Sequence, residues 1–290
     1  MTARSFARGA GVGLAVVLGI VALVLATATR WYGSDLGLFL EAGHRFAQGL
    51  SPHGACFLDV GCYRGSLPFT VLMALLPNGP AIYVGWRLAS LTALAIALRG
   101  IANPLAVAVL APAVVIDLAA ANVTCFAVAA MIAVIRWPSV RSVAVLMFVF
   151  ILTPKPTFVP VLLWAFVNVR AARIPMLALG AVSGLTLLEP GYVGALLQAN
   201  LVAGAVISPF IRLPPAVTVA AVCVGCCMTL AGLRHPRLLG PASVLVSGYW
   251  FGYVFAPLVL AVLPLTGLDQ RASIPSTSTR QTAPSGLRVD

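Results

Sequence analysis

The chain has 290 residues, 61% of them hydrophobic and only 9% charged, with a mean hydropathy of +1.03. A soluble domain carries about 25% charged residues, so this composition excludes an ordinary soluble globular protein and predicts an integral membrane protein. The formal net charge of +11 would point to nucleic acid in a soluble chain. Here the arginines flank apolar runs, where they orient the chain and meet anionic headgroups, so nucleic acid is not expected as a partner.

In chain order, the first apolar run, residues 9–29, follows Arg4 and Arg8. It resembles a signal peptide with a small-residue cleavage site at Ala26–Ala28. It is, however, longer than the roughly 7–15 residues of a signal core, which predicts a retained first helix running from inside to outside. A polar outer loop over residues 30–66 comes next. Within it, the apolar residues Leu36, Leu38, Phe39, Leu40, Phe46 and Ala47 predict a short interfacial helix from Asp35 to Gln48. Residues 67–77 are apolar but short, and they end at Pro77-Asn78-Gly79-Pro80; they read as re-entrant from the outer side.

Spans follow at about 81–98, 102–118 and 120–135, the last two forming a hairpin with Asp117 and Asn122 at its outer tip. Residues 142–153 and 157–169 flank Thr153-Pro154-Lys155-Pro156. They are expected to be two short helices meeting in an outer depression. The alternative, one kinked span, strands the single lysine, Lys155, at a cost of some kcal/mol. Residues 174–188 return outward to Glu189, and a semi-polar outer excursion occupies 189–214. Spans at about 215–233 and 241–263 complete a single membrane domain over 1–267, all-α and polytopic with about nine transmembrane helices. The Ser-, Thr- and Pro-rich tail, 268–290, is expected to be disordered and outside.

This threading separates the charges. All seven acidic residues fall outside: Asp35, Glu41, Asp59, Asp117, Glu189, Asp269 and Asp290. The inner turns carry arginine instead, at Arg99, Arg136, Arg141, Arg170, Arg173, Arg234 and Arg237, with His235 among them. The expected location is therefore a plasma membrane, a bacterial inner membrane, with the chemistry on the outer face.

The first outer loop is the richest in functional groups. Carboxylates at a membrane mouth can deprotonate a hydroxyl, and Arg or His can hold a phosphate. Candidates there are Asp35, Glu41, His44, Arg45 and Arg64; an ordinary solvated loop is the alternative. Arg87, inside a span, either pairs structurally or binds a lipid phosphate. Asn122 and Lys155 reach the outer surface from separate helices. Cys56 and Cys62, close together in an oxidising compartment, are expected to form a disulfide. Cys223, Cys226 and Cys227 lie in an apolar span without His or carboxylate and read as small buried core residues, not a metal site. Nucleotide and dinucleotide fingerprints and zinc-protease motifs are absent. No cofactor is predicted, and a divalent metal is left open.

The order of several short elements resembles the GT-C superfamily of polyprenol-phosphate-sugar-dependent glycosyltransferases, glycosyltransferase family 87 in particular. The similarity lies in Ser34-Asp35-Leu36 with Phe39, Ala42 and Gln48-Gly49. It continues through Tyr63 to Pro77, Ala121-Asn122, and Lys155-Pro156 followed by Arg170 and Arg173. It covers about residues 10–190. The chain departs from the family's pattern at Tyr63-Arg64-Gly65-Ser66-Leu67-Pro68, at His53 and in lacking the glutamine before Asn122.

The resemblance implies a GT-C-like fold and transfer of a sugar, mannose or arabinofuranose, from a polyprenyl-phosphate donor to a lipid or cell-wall glycan acceptor. Asp35 would be the catalytic base. Glu41, His44, Arg45, Arg64, Arg87, Asn122 and Lys155 would bind substrate, Lys155 holding the departing phosphate. Two other classes are kept beside it: a lipid-linked sugar carrier or flippase, and a non-catalytic assembly partner.

Overall fold

A computed structural model describes residues 35–57, 61–63, 65–101, 103–188, 192, 205–208, 211–247 and 252–263. The expected first helix, Asp59, Arg64, Glu189, most of the 189–214 excursion and the tail lie outside the described residues.

The architecture is all-α, with two short antiparallel ladders. Helix α1 is Asp35–Ala47; strands β1 (Cys56–Phe57) and β2 (Gly61–Cys62) pair next, and α2 is Leu67–Ala74. Then come α3 (Pro80–Leu98), α4 (Pro104–Ala120), α5 (Thr124–Arg136), α6 (Val140–Leu152), α7 (Val159–Asn168) and α8 (Arg173–Leu185). A second ladder joins β3 (Ala205–Ser208) to β4 (Ile211–Leu213). Helices α9 (Pro215–Gly232), α10 (Leu239–Leu245) and α11 (Val259–Val262) follow. Proline in the first turn starts α2, α3, α4, α7 and α9, where its missing N–H would have had no intrahelical partner. A reciprocal Ser139–Ser142 capping box starts α6.

Helix α5 is the hub. It is buried on nearly every side from Thr124 to Ile135, as expected for a helix that is apolar all round. Its small residues Ala127, Ala129 and Ala130 let α3 and α6 approach closely. This larger core joins α3 to α7 and the α10–α11 region. A smaller core lies beside it, where Leu36 and Leu40 of α1 pack with Tyr63, Phe69 and Met73 and with Ala121 and Val123. Gly43 is required at the α1–α2 crossing, because a Cβ there would lie 2.5 Å from the backbone of Met73 and Ala74. The Ser66 hydroxyl ties the start of α2 to the Leu152 carbonyl at the end of α6, at 2.9 Å.

A helix is found at the expected start, Asp35, and runs to Ala47. Helix α2, with eight residues, is about 12 Å long and cannot cross a bilayer. Thr153–Lys155 separates α6 from a short 3-10 turn at Pro156–Phe158 and then α7, so the chain forms two short helices here. Pro154 and Pro156 each remove a backbone donor, which ends α6.

Among the described residues, α3 is the helix long and apolar enough to cross a membrane. A second candidate arises only if the pair 156–168 and 170–182, bent by 112°, is taken as one span. Helices α4, α5, α6 and α9 are apolar but fall below that length and composition test.

Two expectations are corrected. Residues 241–263 do not form a span. Helix α10 packs against the returning α11 so closely that a Cβ on Gly240 would meet the Pro257 carbonyl at 2.5 Å and Leu260 at 3.2 Å. The Val262 carbonyl accepts from Asn103 Nδ2 at 2.7 Å, and α11 touches the Pro236–Leu238 turn. Gly240 and the Pro257–Leu260 stretch therefore lie side by side, and the chain reaches Leu263 next to Asn103. The short α10 and Pro257 break what sequence alone reads as one apolar run. The second correction concerns Cys223, Cys226 and Cys227, which are exposed on α9, not buried; at positions i, i+3 and i+4 they share one outward face of the helix.

Candidate functional site

The site is organised by the tight turn between α4 and α5. Ala121 takes a left-handed conformation, φ 51°, uncommon for a residue with a Cβ. The turn is held from three sides. Arg87, buried in α3, donates to the Leu118 carbonyl at 2.7 Å and the Ala119 carbonyl at 3.2 Å, which places a cation at the C-terminus of α4. Trp86 Nε1 donates to the Asn122 carbonyl at 2.9 Å. The buried Asp117 carboxylate accepts from the Thr124 and Cys125 amides at 3.0 and 3.1 Å, so it fills the N-terminus of α5, and its own carbonyl accepts from the Asn122 amide at 3.0 Å.

On this platform the Asn122 side chain makes three bonds. Its Oδ1 accepts from the Val123 amide at 2.6 Å and from Lys155 Nζ at 3.1 Å. Its Nδ2 donates to Asp35 Oδ2. Asp35 in the first turn of α1 and Lys155 in the α6–α7 break therefore meet at one amide, at the seam between the two cores. Burial pushes the Asp35 carboxyl up from the usual carboxylate range, with Asp117 adding to it. The Lys155 charge and the Asn122 hydrogen bond pull the other way and only partly offset it.

Lys155 also borders a small recess, with room for about one water, lined by Thr124, Ala127, Val128, Met131, Thr157 and Pro257. Its polar end carries the ammonium and two threonines, and its walls are apolar. Among the described residues no group of three His, Cys, Asp or Glu could hold a metal ion.

Of the other residues expected at the site, Glu41 lies six positions beyond Asp35 on α1, about 9 Å along the axis, and His44 and Arg45 lie further still. Arg45 serves its own loop: Nε donates to the Ser51 carbonyl at 3.0 Å, and a Cβ on Gly54 would meet its guanidinium at 2.6 Å. Arg87 holds the turn, as above. Cys56 and Cys62 are direct partners in the register of β1 and β2. His53 stacks on Tyr63 at 6.0 Å and tilts toward Tyr192 at 5.7 Å, an aromatic group that the sequence did not reveal. Asp117 as an internal anion at α5 was also missed; its signal was an acid seven residues before Thr124 at a helix start. Thr157 and Pro257 carried no sequence signal.

The fold and site define an all-α protein with a polar seam joining a carboxylate, an amide and an ammonium. Family models, curated proteins and solved structures give no match to the chain.

Proposed function

We propose that the protein is a membrane glycosyltransferase that moves a sugar, mannose or arabinofuranose, from a polyprenyl-phosphate donor to a lipid or cell-wall glycan acceptor. The observation that carries the reading is the meeting of Asp35 and Lys155 on the Asn122 amide, beside a recess that is cationic at one end and apolar along its walls. In this reading Asp35 takes the proton of an acceptor hydroxyl. The hydroxyl oxygen attacks the anomeric carbon with inversion, and the bond from that carbon to the phosphate oxygen breaks. The polyprenyl phosphate leaves with the electron pair, and Lys155 stabilises the charge that develops on it.

The setting is the plasma membrane, with about nine spans if the shorter apolar helices also cross, and with the site facing outward. Support comes from the helix surfaces: Ile174, Leu177, Leu188, Leu230 and Val219 are each more than 60% exposed, an arrangement suited to lipid. The reading is tested by profiling lipoglycan and wall sugars after deletion of the gene. The expected result is loss of one mannose- or arabinose-containing linkage, restored by the native chain and not by Asp35→Asn. An unchanged profile would overturn it.

A further inference from the structure

We infer that the recess beside Lys155 is a binding site for one ordered water molecule, held by the hydroxyls of Thr124 and Thr157 and by the Lys155 ammonium. The inference does not depend on the transfer reading.

Three parts of the chain build the recess. Thr124, Ala127, Val128 and Met131 stand at i, i+3, i+4 and i+7 of α5, so one face of that helix lines it. Lys155 and Thr157 come from the α6–α7 break, and Pro257 comes from the 3-10 segment Gly252–Leu258. The apolar side chains alone would keep such a space dry. The polar ones change that. Thr124 and Thr157 are each only 8% exposed, and neither hydroxyl has a protein partner among the described residues. The Thr124 amide, by contrast, is engaged by the Asp117 carboxylate at 3.0 Å.

A buried hydroxyl without a hydrogen bond is costly. Each threonine hydroxyl can donate and accept, whereas the ammonium only donates, and one of its donors is directed at Asn122 Oδ1. A water between them can accept from Lys155 and donate to both threonines. That gives it three partners, about the usual number for an internal water.

Size and charge decide against other occupants. The space suits about one water. A small anion there would meet the field of Asp35 and Asp117, whose charges already act on Lys155. A metal cation would meet the ammonium itself. A neutral dipole is favoured over both. It hydrates a side chain whose point charge is strongly hydrated in solution, and it joins α5, the α6–α7 break and the Gly252–Leu258 segment through one molecule.

Lys155 is the only lysine in the chain, so 15N-lysine labelling gives one side-chain amine signal. The test uses the full chain in liposomes and follows magnetisation transfer from water protons to Lys155 Nζ by solid-state NMR. The native chain should show this transfer. Thr157→Ile removes the hydroxyl and adds a methyl group where the water would stand, so transfer should be lost. Thr157→Val, which removes the hydroxyl alone, is the second variant should isoleucine not fold, and weakened transfer is expected. A structure of the native chain fine enough to show waters gives a readout that needs no variant. It should place a water about 2.5–3.0 Å from both threonine hydroxyls. No transfer in the native chain, or no water at that place, would overturn the inference. So would transfer that is unchanged in a folded Thr157 variant, because bulk water would then be what wets the amine.

Discussion

Asn122 Nδ2 donates to the carboxylate of Asp35, and this bond ties the first described helix to the turn between α4 and α5. It places an acid at the seam between the two cores, within reach of the Lys155 charge. It also explains why a carboxylate should sit in a partly buried position that raises its pKa.

That raised pKa gives a prediction about stability as well as activity. The native state holds the Asp35 proton to higher pH than the unfolded chain, so its contribution to stability falls as pH rises from the ordinary Asp value of about 3.9 through the folded value. Asp35→Asn removes this dependence. The variant should unfold at the same or a higher temperature than the native chain at pH 7, while transfer falls about 10²–10⁴-fold. Thermal unfolding in detergent at several pH values checks the first part. A large loss of stability at pH 7 would make Asp35 structural.

Lys155 is expected to act on the donor. Lys155→Met should leave the fold intact and weaken binding of a polyprenyl-phosphate sugar by about tenfold or more, corresponding to a charge-assisted hydrogen bond of about 1.5–3 kcal/mol. Isothermal titration in nanodiscs reads this directly. Undiminished donor affinity would assign Lys155 a structural role.

The register of β1 and β2 sets Cys56 opposite Cys62. Opposed residues of an antiparallel pair have Cα atoms about 4.5–5.5 Å apart, within the range a disulfide spans. Intact mass with and without reductant should differ by one disulfide, and reduction should cost about 2 kcal/mol for so short a loop. Two alkylatable thiols at these positions in freshly purified, unreduced protein would rule the bond out.

Because α11 ends beside Asn103 and the Pro236–Leu238 turn, the tail should emerge on the arginine-bearing side. In a background without native cysteines, Arg237→Cys and Ser276→Cys should share one labelling behaviour toward an impermeant thiol reagent. If only one of them is labelled from outside intact cells, α10 and α11 do not form a returning hairpin.

Much of this fold was legible because its signals are local. Asp35 opens the helix at its expected start, although Leu38 is buried and Phe46 is exposed, and Pro154 and Pro156 announce the break that presents Lys155. The returning hairpin was not legible. An apolar run of adequate length looks the same whether it crosses or folds back, and the contacts that decide it, Gly240 with Pro257 and Asn103 with Val262, are distant in sequence. The exposed thiols of α9 escaped for a related reason: an apolar helix does not show which face meets lipid and which meets protein. At the site, residue types suggested Arg45 and Arg87 as ligands. Both donate to backbone carbonyls, which no side-chain pattern reveals.

The central claim is that the protein transfers a sugar from a polyprenyl phosphate with Asp35 as base. The most direct measurement reconstitutes the purified chain in liposomes with polyprenyl-phosphate mannose or arabinofuranose and a membrane extract as acceptor, and follows release of free polyprenyl phosphate. The account predicts release by the native chain with one of these donors, and a loss of about 10²–10⁴-fold in Asp35→Asn at equal folded protein. Undiminished release by Asp35→Asn, or movement of the intact donor across the bilayer with no release, would contradict it.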